Sequence, residues 1–215
     1  MNTQVQKDYY LTKEYGSLER FISYFYQLDA IRKLEPHSVL FVGVGDDMLP
    51  GLLKKGGVEV TTLDIDPELE PDVVGDIRSL PFQDGSFDMV CAFQVLEHLP
   101  FEELDGILSE MSRVSRRDVL IAVPHRRTGF EFVFRFPFIH TLLNRDFVRL
   151  ALLFPIRFCG FEESGQHYWE IDWYTTKLGT VRSAFKKYFS ITEEKTPVLD
   201  PYRRFFILQK HEGKN

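Results

Sequence analysis

Val39-Leu40-Phe41-Val42-Gly43-Val44-Gly45-Asp46-Asp47 reads as an apolar strand that runs directly into a glycine turn. A continuous apolar run of this kind, bounded by glycine, suits a strand of a parallel sheet that is covered on both faces. Glycines at alternate positions let the main chain turn sharply and approach a ligand closely, and the helix that follows offers free amides at its N-terminus. A tight strand-to-helix turn without a ligand needs the same glycines, so the flanking sequence has to decide between the two.

Outward from the turn, residues 58–63 form a second strand-like run ending at Asp64, residues 72–74 a short third, Phe87–Phe93 a fourth and residues 119–123 a fifth. Between the fourth and fifth, Leu104, Ile107, Leu108 and Met111 predict a helix within 101–114. Strands alternating with helices require crossover connections, and therefore a parallel sheet with helices on both faces. Upstream, Leu18, Phe21, Ile22, Phe25, Leu28, Ile31 and Leu34 predict an amphipathic helix over 15–34 that closes at Pro36 and packs its stripe on the domain.

Downstream of Pro124 the rhythm breaks. Residues 125–173 are rich in Phe, Arg and Trp, Pro137 and Pro155 interrupt any long helix, and Phe147, Leu150, Ala151 and Phe154 recur at helical spacing. A helical lid insertion is expected there. Leu178, Val181, Phe185 and Tyr188 restore a helical pattern, and strands near 190–192 and 205–209 flank a turn with Pro197, Asp200 and Pro201, which predicts an antiparallel hairpin at the sheet edge. The expected architecture is α/β: a Rossmann-like doubly wound sheet of about seven strands with the last antiparallel, an N-terminal helix and a helical lid. The corresponding segments are a helical cap over 1–36, a ligand-binding core over 37–124, the lid over 125–173, and a helix with closing strands of the same domain over 174–215.

Composition narrows the function classes. A chain of 215 residues that is 44% hydrophobic and 27% charged is an ordinary globular protein, which excludes a disordered, collagenous or disulfide-scaffold chain. The formal charge of −6 has the wrong sign for a general nucleic-acid binder. Cys91 and Cys159 cannot build a disulfide framework, the first twenty residues lack an apolar signal core, and no apolar run reaches the roughly 18 residues of a membrane span, so a cytoplasmic location is expected. No His and carboxylate cluster stands at ligand spacing, so no metal is expected. Phenylalanine is unevenly spread: nine of the 20 lie between Phe130 and Phe161.

Asp64 ends the second strand 21 residues after Gly43, where a Rossmann-type sheet places a carboxylate on the hydroxyls of an adenosine ribose. Asp76, at the end of the third strand, can accept from an adenine amino group. Asp46 and Asp47 would repel a pyrophosphate, and Met48 stands where dinucleotide-binding turns carry a third glycine, so NAD and FAD are disfavoured. A cationic adenosine ligand is favoured instead, and S-adenosylmethionine, with a sulfonium and an ammonium but no phosphate, is one.

From about Ser38 to Val123 the sequence resembles the class I S-adenosylmethionine-dependent methyltransferases, in particular the methyltransferase type 11 family. The resemblance is carried by Asp72-Val73-Val74-Gly75-Asp76-Ile77, Leu80-Pro81-Phe82, Asp84-Gly85-Ser86-Phe87-Asp88 and Gln94-Val95-Leu96-Glu97-His98-Leu99. It implies that Gly43 and Gly45 border the methionine portion, Asp64 and Ile65 hold the ribose, Asp76 and Ile77 bracket the adenine, and Gln94 lies beneath the sulfonium, with S-adenosylhomocysteine as the product. Two departures stand out. Phe41 occupies the place of an acid that usually holds the methionine ammonium, and Asp47 that of a frequent glycine; Asp46 or Asp47 can supply the missing charge from the other side of the turn.

Methyl transfer from a sulfonium needs positioning first, and a general base mainly for hydroxyl or carbon acceptors. His167, beside Glu170, and His125, after the fifth strand, are the candidate bases, each alternatively structural. Glu97-His98 looks like a reactive pair, but in the family this segment is commonly structural. Six arginines, Arg126, Arg127, Arg135, Arg145, Arg149 and Arg157, face only Glu131 and Asp146 in the Phe-rich segment. Three roles fit: a lid that packs on the core and on a second subunit as a homodimer contact, an apolar acceptor pocket, or a peripheral membrane contact through residues 130–161. The expected activity is methyl transfer to a small-molecule or lipid-like acceptor, with no nucleic-acid partner; the alternative is a catalytically silent partner or regulatory subunit that keeps the fold.

Overall fold

β1 (Ser38–Val42) is buried along its whole length, and its side chains alternate between the two faces of the central sheet. Val39 and Phe41 enter one apolar cluster, Leu40 and Val42 the other. That two-sided burial explains why the run is continuously apolar rather than alternating. The computed structural model describes residues 7–10, 12, 16–126, 128–136, 138, 141–142, 148–154, 167–173 and 176–211.

The sheet has seven strands in the order β3 (Val73–Val74), β2 (Glu59–Asp64), β1, β4 (Phe87–Phe93), β5 (Ser115–Pro124), β9 (Arg203–Lys210) and β8 (Phe189–Lys195). The pairs from β3 through β5 are parallel, and β9 runs antiparallel to both β5 and β8. This is the expected α/β, Rossmann-like sheet with its last strand reversed.

Five α-helices are described: α1 (Lys7–Tyr10), α2 (Leu18–Leu34), α3 (Met48–Lys55), α4 (Leu104–Val114) and α5 (Leu178–Phe185). Ala30 and Ile31 of α2 and Leu49 and Leu53 of α3 cover one sheet face. Ile107, Leu108 and Met111 of α4 and Val181 and Phe185 of α5 cover the other, together with Trp169 and Ile171.

The N-terminal helix forms where its pattern predicted, with Ser17 as N-cap accepting from the Arg20 amide, and it packs Leu28, Ile31 and Leu34 of the stripe on the core but turns the first half of the stripe outward. Leu18, Phe21 and Phe25 are 72%, 50% and 64% exposed, while Ser23, Gln27, Ala30 and Ile31 are buried. The small side chains win because they let α2 lie close on the sheet, and a Gln27 amide that donates to Ser23 at 3.1 Å satisfies the polar groups this encloses.

The expected helical lid is also corrected. β6 (Thr128–Phe134) and β7 (Val148–Phe154) pair as a separate antiparallel ribbon, with Phe130 opposite Leu152, Phe132 opposite Leu150 and Phe134 opposite Val148. The period of two along both strands prevails over the helical spacing of Leu150, Ala151 and Phe154, because cross-strand pairing puts all six large apolar side chains on one face. Phe147 and the remainder of the Phe-rich segment from 155 to 166 lie outside the described residues.

Candidate functional site

The strand order reverses between β1 and β4, the position at which open α/β sheets form a ligand crevice beyond the carboxyl ends of the strands. The glycine turn leaves β1 at that point. Gly43 has φ +84° and its amide donates to the Leu63 carbonyl at 2.9 Å; a Cβ there would stand 2.6 Å from Val95 Cγ2. The turn therefore packs directly against the segment leaving β4, and no residue with a side chain fits without displacing it. Gly45 is also left-handed, at φ +60°.

Asp64, at the end of β2, closes the turn from the neighbouring strand. Its Oδ2 accepts from the Val44 amide at 2.8 Å and its Oδ1 from the Asp66 amide at 3.0 Å. Each oxygen keeps a lone pair beyond these bonds. Ile65 follows, half-buried.

Asp46 is linked to the N-terminal helix, since its Oδ1 accepts from the Tyr24 hydroxyl at 2.9 Å and from the Met48 amide at 3.2 Å. Asp47 caps α3 at φ +55°. Two positive φ values at non-glycine residues, Asp47 and Gln94 (+57°), bracket the crevice, and such conformations persist where the surrounding structure enforces them. Gln94 turns its side chain toward β5, and both its amide and its Nε2 donate to the Ala122 carbonyl, at 2.9 and 3.1 Å. Asp76 accepts from the Arg78 amide and guanidinium, at 2.9 and 3.1 Å, and Ile77 lies in the core at 5% exposure.

His125 is 4% exposed, and both its ring nitrogens are engaged: Nε2 donates to Asp172 at 2.9 Å, and Arg204 donates to Nδ1 at 3.2 Å. Arg204 also pairs with Glu194, which Arg182 of α5 holds at 2.7 Å. This chain of pairs joins the end of β5 to β8, β9 and α5.

His167 lies beside a different carboxylate. Its Nδ1 donates to Glu170 Oε1 at 2.8 Å, and the same carboxylate accepts from Arg126 Nε at 2.6 Å and from the Tyr202 hydroxyl at 3.0 Å. Burial alone would raise the Glu170 carboxyl, but these three donors outweigh it and hold the group below the usual glutamate range. Burial, reinforced by the Glu170 charge, pushes the Tyr202 hydroxyl the other way, well above its ordinary value.

The segment carrying His167 and Glu170 is fastened across the crevice. The Tyr168 amide donates to the Glu97 carbonyl at 2.8 Å, Trp169 Nε1 to the Leu99 carbonyl at 3.1 Å, and the Ile171 amide to the Pro124 carbonyl at 3.0 Å. The result is a group that sequence spacing did not disclose. Glu97, in a short 3-10 turn (Leu96–His98), is fully buried, and among the described residues neither carboxyl oxygen has a hydrogen-bond partner. Burial pushes this carboxyl up to about 8. The rings of His98 and His167 meet edge to face at 4.9 Å beside it. The sequence shows no His and carboxylate cluster at ligand spacing, and the fold gathers one from residues too far apart in the chain for spacing to reveal. Tyr24 and Tyr202 were likewise missed, and Arg126 was named only as one of six arginines, since their partners are distant in sequence and no local pattern marks them.

Comparison with known proteins agrees with this fold. The family model described as a methyltransferase domain matches residues 40–123. The fold resembles a Pyrococcus horikoshii OT3 protein at TM-score 0.59 and 17% identity, covering 96% of this chain and 100% of that one. It also resembles the magnesium protoporphyrin IX methyltransferase of Synechocystis PCC 6803, solved with bound S-adenosylhomocysteine, at TM-score 0.58 and 17% identity over 90% of this chain and 84% of that one. An N-methyltransferase from Bradyrhizobium japonicum WM9, in complex with the same product, matches at TM-score 0.57 and 10% identity over 91% and 89% of the two chains. No curated protein matches the sequence.

Proposed function

We propose that the chain is a class I methyltransferase that transfers a methyl group from S-adenosylmethionine to a small-molecule or lipid-like acceptor, a reading supported by the match of residues 40–123 to a methyltransferase domain. The observation that carries the reading is the clamp at the strand-order reversal, where Asp64 holds the Val44 amide and Gly43 leaves room only for main chain.

The donor set fits the cofactor. Asp64 has lone pairs left for the two ribose hydroxyls, and Ile65 lies next to it for the sugar. Asp46, already positioned by Tyr24, supplies a negative charge on the methionine side, where Phe41 is buried in the core and offers none. Gly43 and Gly45 border the same portion, and Gln94 stands under the reacting centre with its amide fixed to Ala122. Asp76 and Ile77 edge the adenine, Asp76 through oxygens it shares with Arg78. When bound, S-adenosylmethionine supplies an electrophilic methyl on its sulfonium; the chain's part is to orient the acceptor and exclude water. His125 is absorbed in holding β5 to its neighbours, so of the two candidate bases only His167 keeps a nitrogen for further chemistry.

Titration calorimetry with S-adenosylmethionine and S-adenosylhomocysteine tests this reading. One site per chain for both ligands, and none for NAD, is the expected result. Absence of binding to either would leave a silent protein that has kept the fold.

The ribbon supports the lipid-like end of the acceptor range. Phe130, Phe132, Phe134, Val148, Leu150 and Leu152 share one exposed face, and Arg135 follows Phe134 in the chain, a combination suited to the interface of an anionic bilayer. Co-sedimentation with vesicles of three parts phosphatidylcholine to one part phosphatidylglycerol should pellet the protein at low salt. The Phe132→Asp/Phe134→Asp variant should stay in the supernatant. A wild-type chain that stays there too would remove membrane contact from the proposal.

A further inference from the structure

Glu97 poses a specific problem. A fully buried carboxyl with no hydrogen-bond partner among the described residues loses its hydration, and the Arg203 and Arg20 charges offset this only through space. Native structures rarely keep such a group without an ion or another partner. Two imidazoles lie beside it: one ligand-capable atom each from Glu97, His98 and His167 lies within 4.8 Å of the others. Three groups around an ion at about 2.1 Å would stand about 3.4 Å apart in tetrahedral geometry. Side-chain rotations that close the set by little more than an ångström therefore suffice.

His167 is prepared for such a role. Its Nδ1 donates to Glu170, so a neutral ring carries its lone pair on Nε2. A carboxylate holding the far nitrogen of a ligating histidine is a recurrent feature of metal sites, where it sets the tautomer and the ring direction. Glu170 is itself held by Arg126 and Tyr202, and the Tyr168 amide pins the segment to the Glu97 carbonyl. The positions of the three groups are therefore enforced by anchors outside them.

We propose that Glu97, His98 and His167 bind one divalent transition-metal ion, with Zn2+ the best match to two imidazole nitrogens and one carboxylate oxygen. Ca2+ and Mg2+ prefer all-oxygen sets and suit it poorly. Three protein ligands leave a coordination position open, and since His98 and His167 are only half-buried, that position is reachable from outside. An oxygen of water or of an acceptor molecule can occupy it. The proposal does not depend on the methyl-transfer reading, because the site uses none of the residues assigned to the cofactor.

The test is titration of the untagged, chelator-treated chain with Zn2+ by calorimetry and with Co2+ by visible absorption. The expected result is one equivalent of Zn2+ per chain and the intense visible bands of four-coordinate Co2+. His98→Ala and His167→Ala should each weaken binding at least a hundredfold and abolish those bands, while Glu170→Gln should weaken it about tenfold by loosening His167. Thermal melts without metal identify variants that fail to fold; should Glu97→Gln fail, the two histidine variants carry the test. Lack of stoichiometric binding, or wild-type binding by His167→Ala, would overturn the proposal. Unaltered S-adenosylhomocysteine affinity in His167→Ala would show that the two sites are separate.

Discussion

If S-adenosylmethionine is the cofactor as proposed, Asp64→Asn should weaken S-adenosylhomocysteine binding about thirtyfold in calorimetry, while the melting temperature changes little. The carboxylate has one oxygen on Val44 and one on Asp66, and the amide variant can keep the first of these bonds. What it loses is the charge, the bond from the Asp66 amide and, in the proposed complex, one acceptor for the ribose hydroxyls. Hydrogen bonds to a charged group contribute about 1.5–3 kcal/mol each, so the loss of one, at about 2 kcal/mol, corresponds to that thirtyfold change. An unchanged Kd in a variant that still melts as the wild type does would mean that Asp64 only braces the turn.

Glu170→Ala produces the largest fall in stability. It removes a fully buried carboxylate from Arg126, Tyr202 and His167 together and leaves a guanidinium without its partner. Breaking a buried pair from one side costs about 3–5 kcal/mol; Arg126 retains 30% exposure and can recover some hydration, so the low end applies. About 3 kcal/mol lowers the melting temperature of a chain this size by roughly 10 °C. Differential scanning calorimetry would measure it. A shift of only a degree or two would show that the three donors find water as readily as they found Glu170.

The two positions differ in how far the sequence announced them. Asp64 was legible because a strand, a glycine turn and a second strand lie within one short stretch, and parallel pairing of adjacent strands converts that spacing into proximity. Glu170 was named only as a neighbour of His167. Its partners Arg126 and Tyr202 come from either side of the segment, brought together by β9 pairing with β5.

The errors have physical causes as well. The stripe Leu18, Phe21, Phe25 obeys helical periodicity, but periodicity identifies a helix more surely than it identifies the face that will be buried. The sheet accepted the face that could come closest, built on Ser23, Gln27 and Ala30. In the Phe-rich segment, spacings of three and four coexisted with alternation. Short apolar runs satisfy both patterns, and pairing between β6 and β7 resolved them as strand.

By itself the sequence determined the alternating strands and helices, the reversed last strand, the glycine turn with its following carboxylate, and the location of the Phe excess after the fifth strand. All of these are set by spacing within one element or between neighbours. Tertiary structure alone decided which helix face is buried, that the Phe-rich segment contains a ribbon with an exposed apolar face, and that Glu97 and His98 meet His167. Those outcomes depend on contacts between segments far apart in the chain, whose energy is realised only once the sheet has closed and the main-chain bonds from Tyr168 and Ile171 have fixed the returning segment in place.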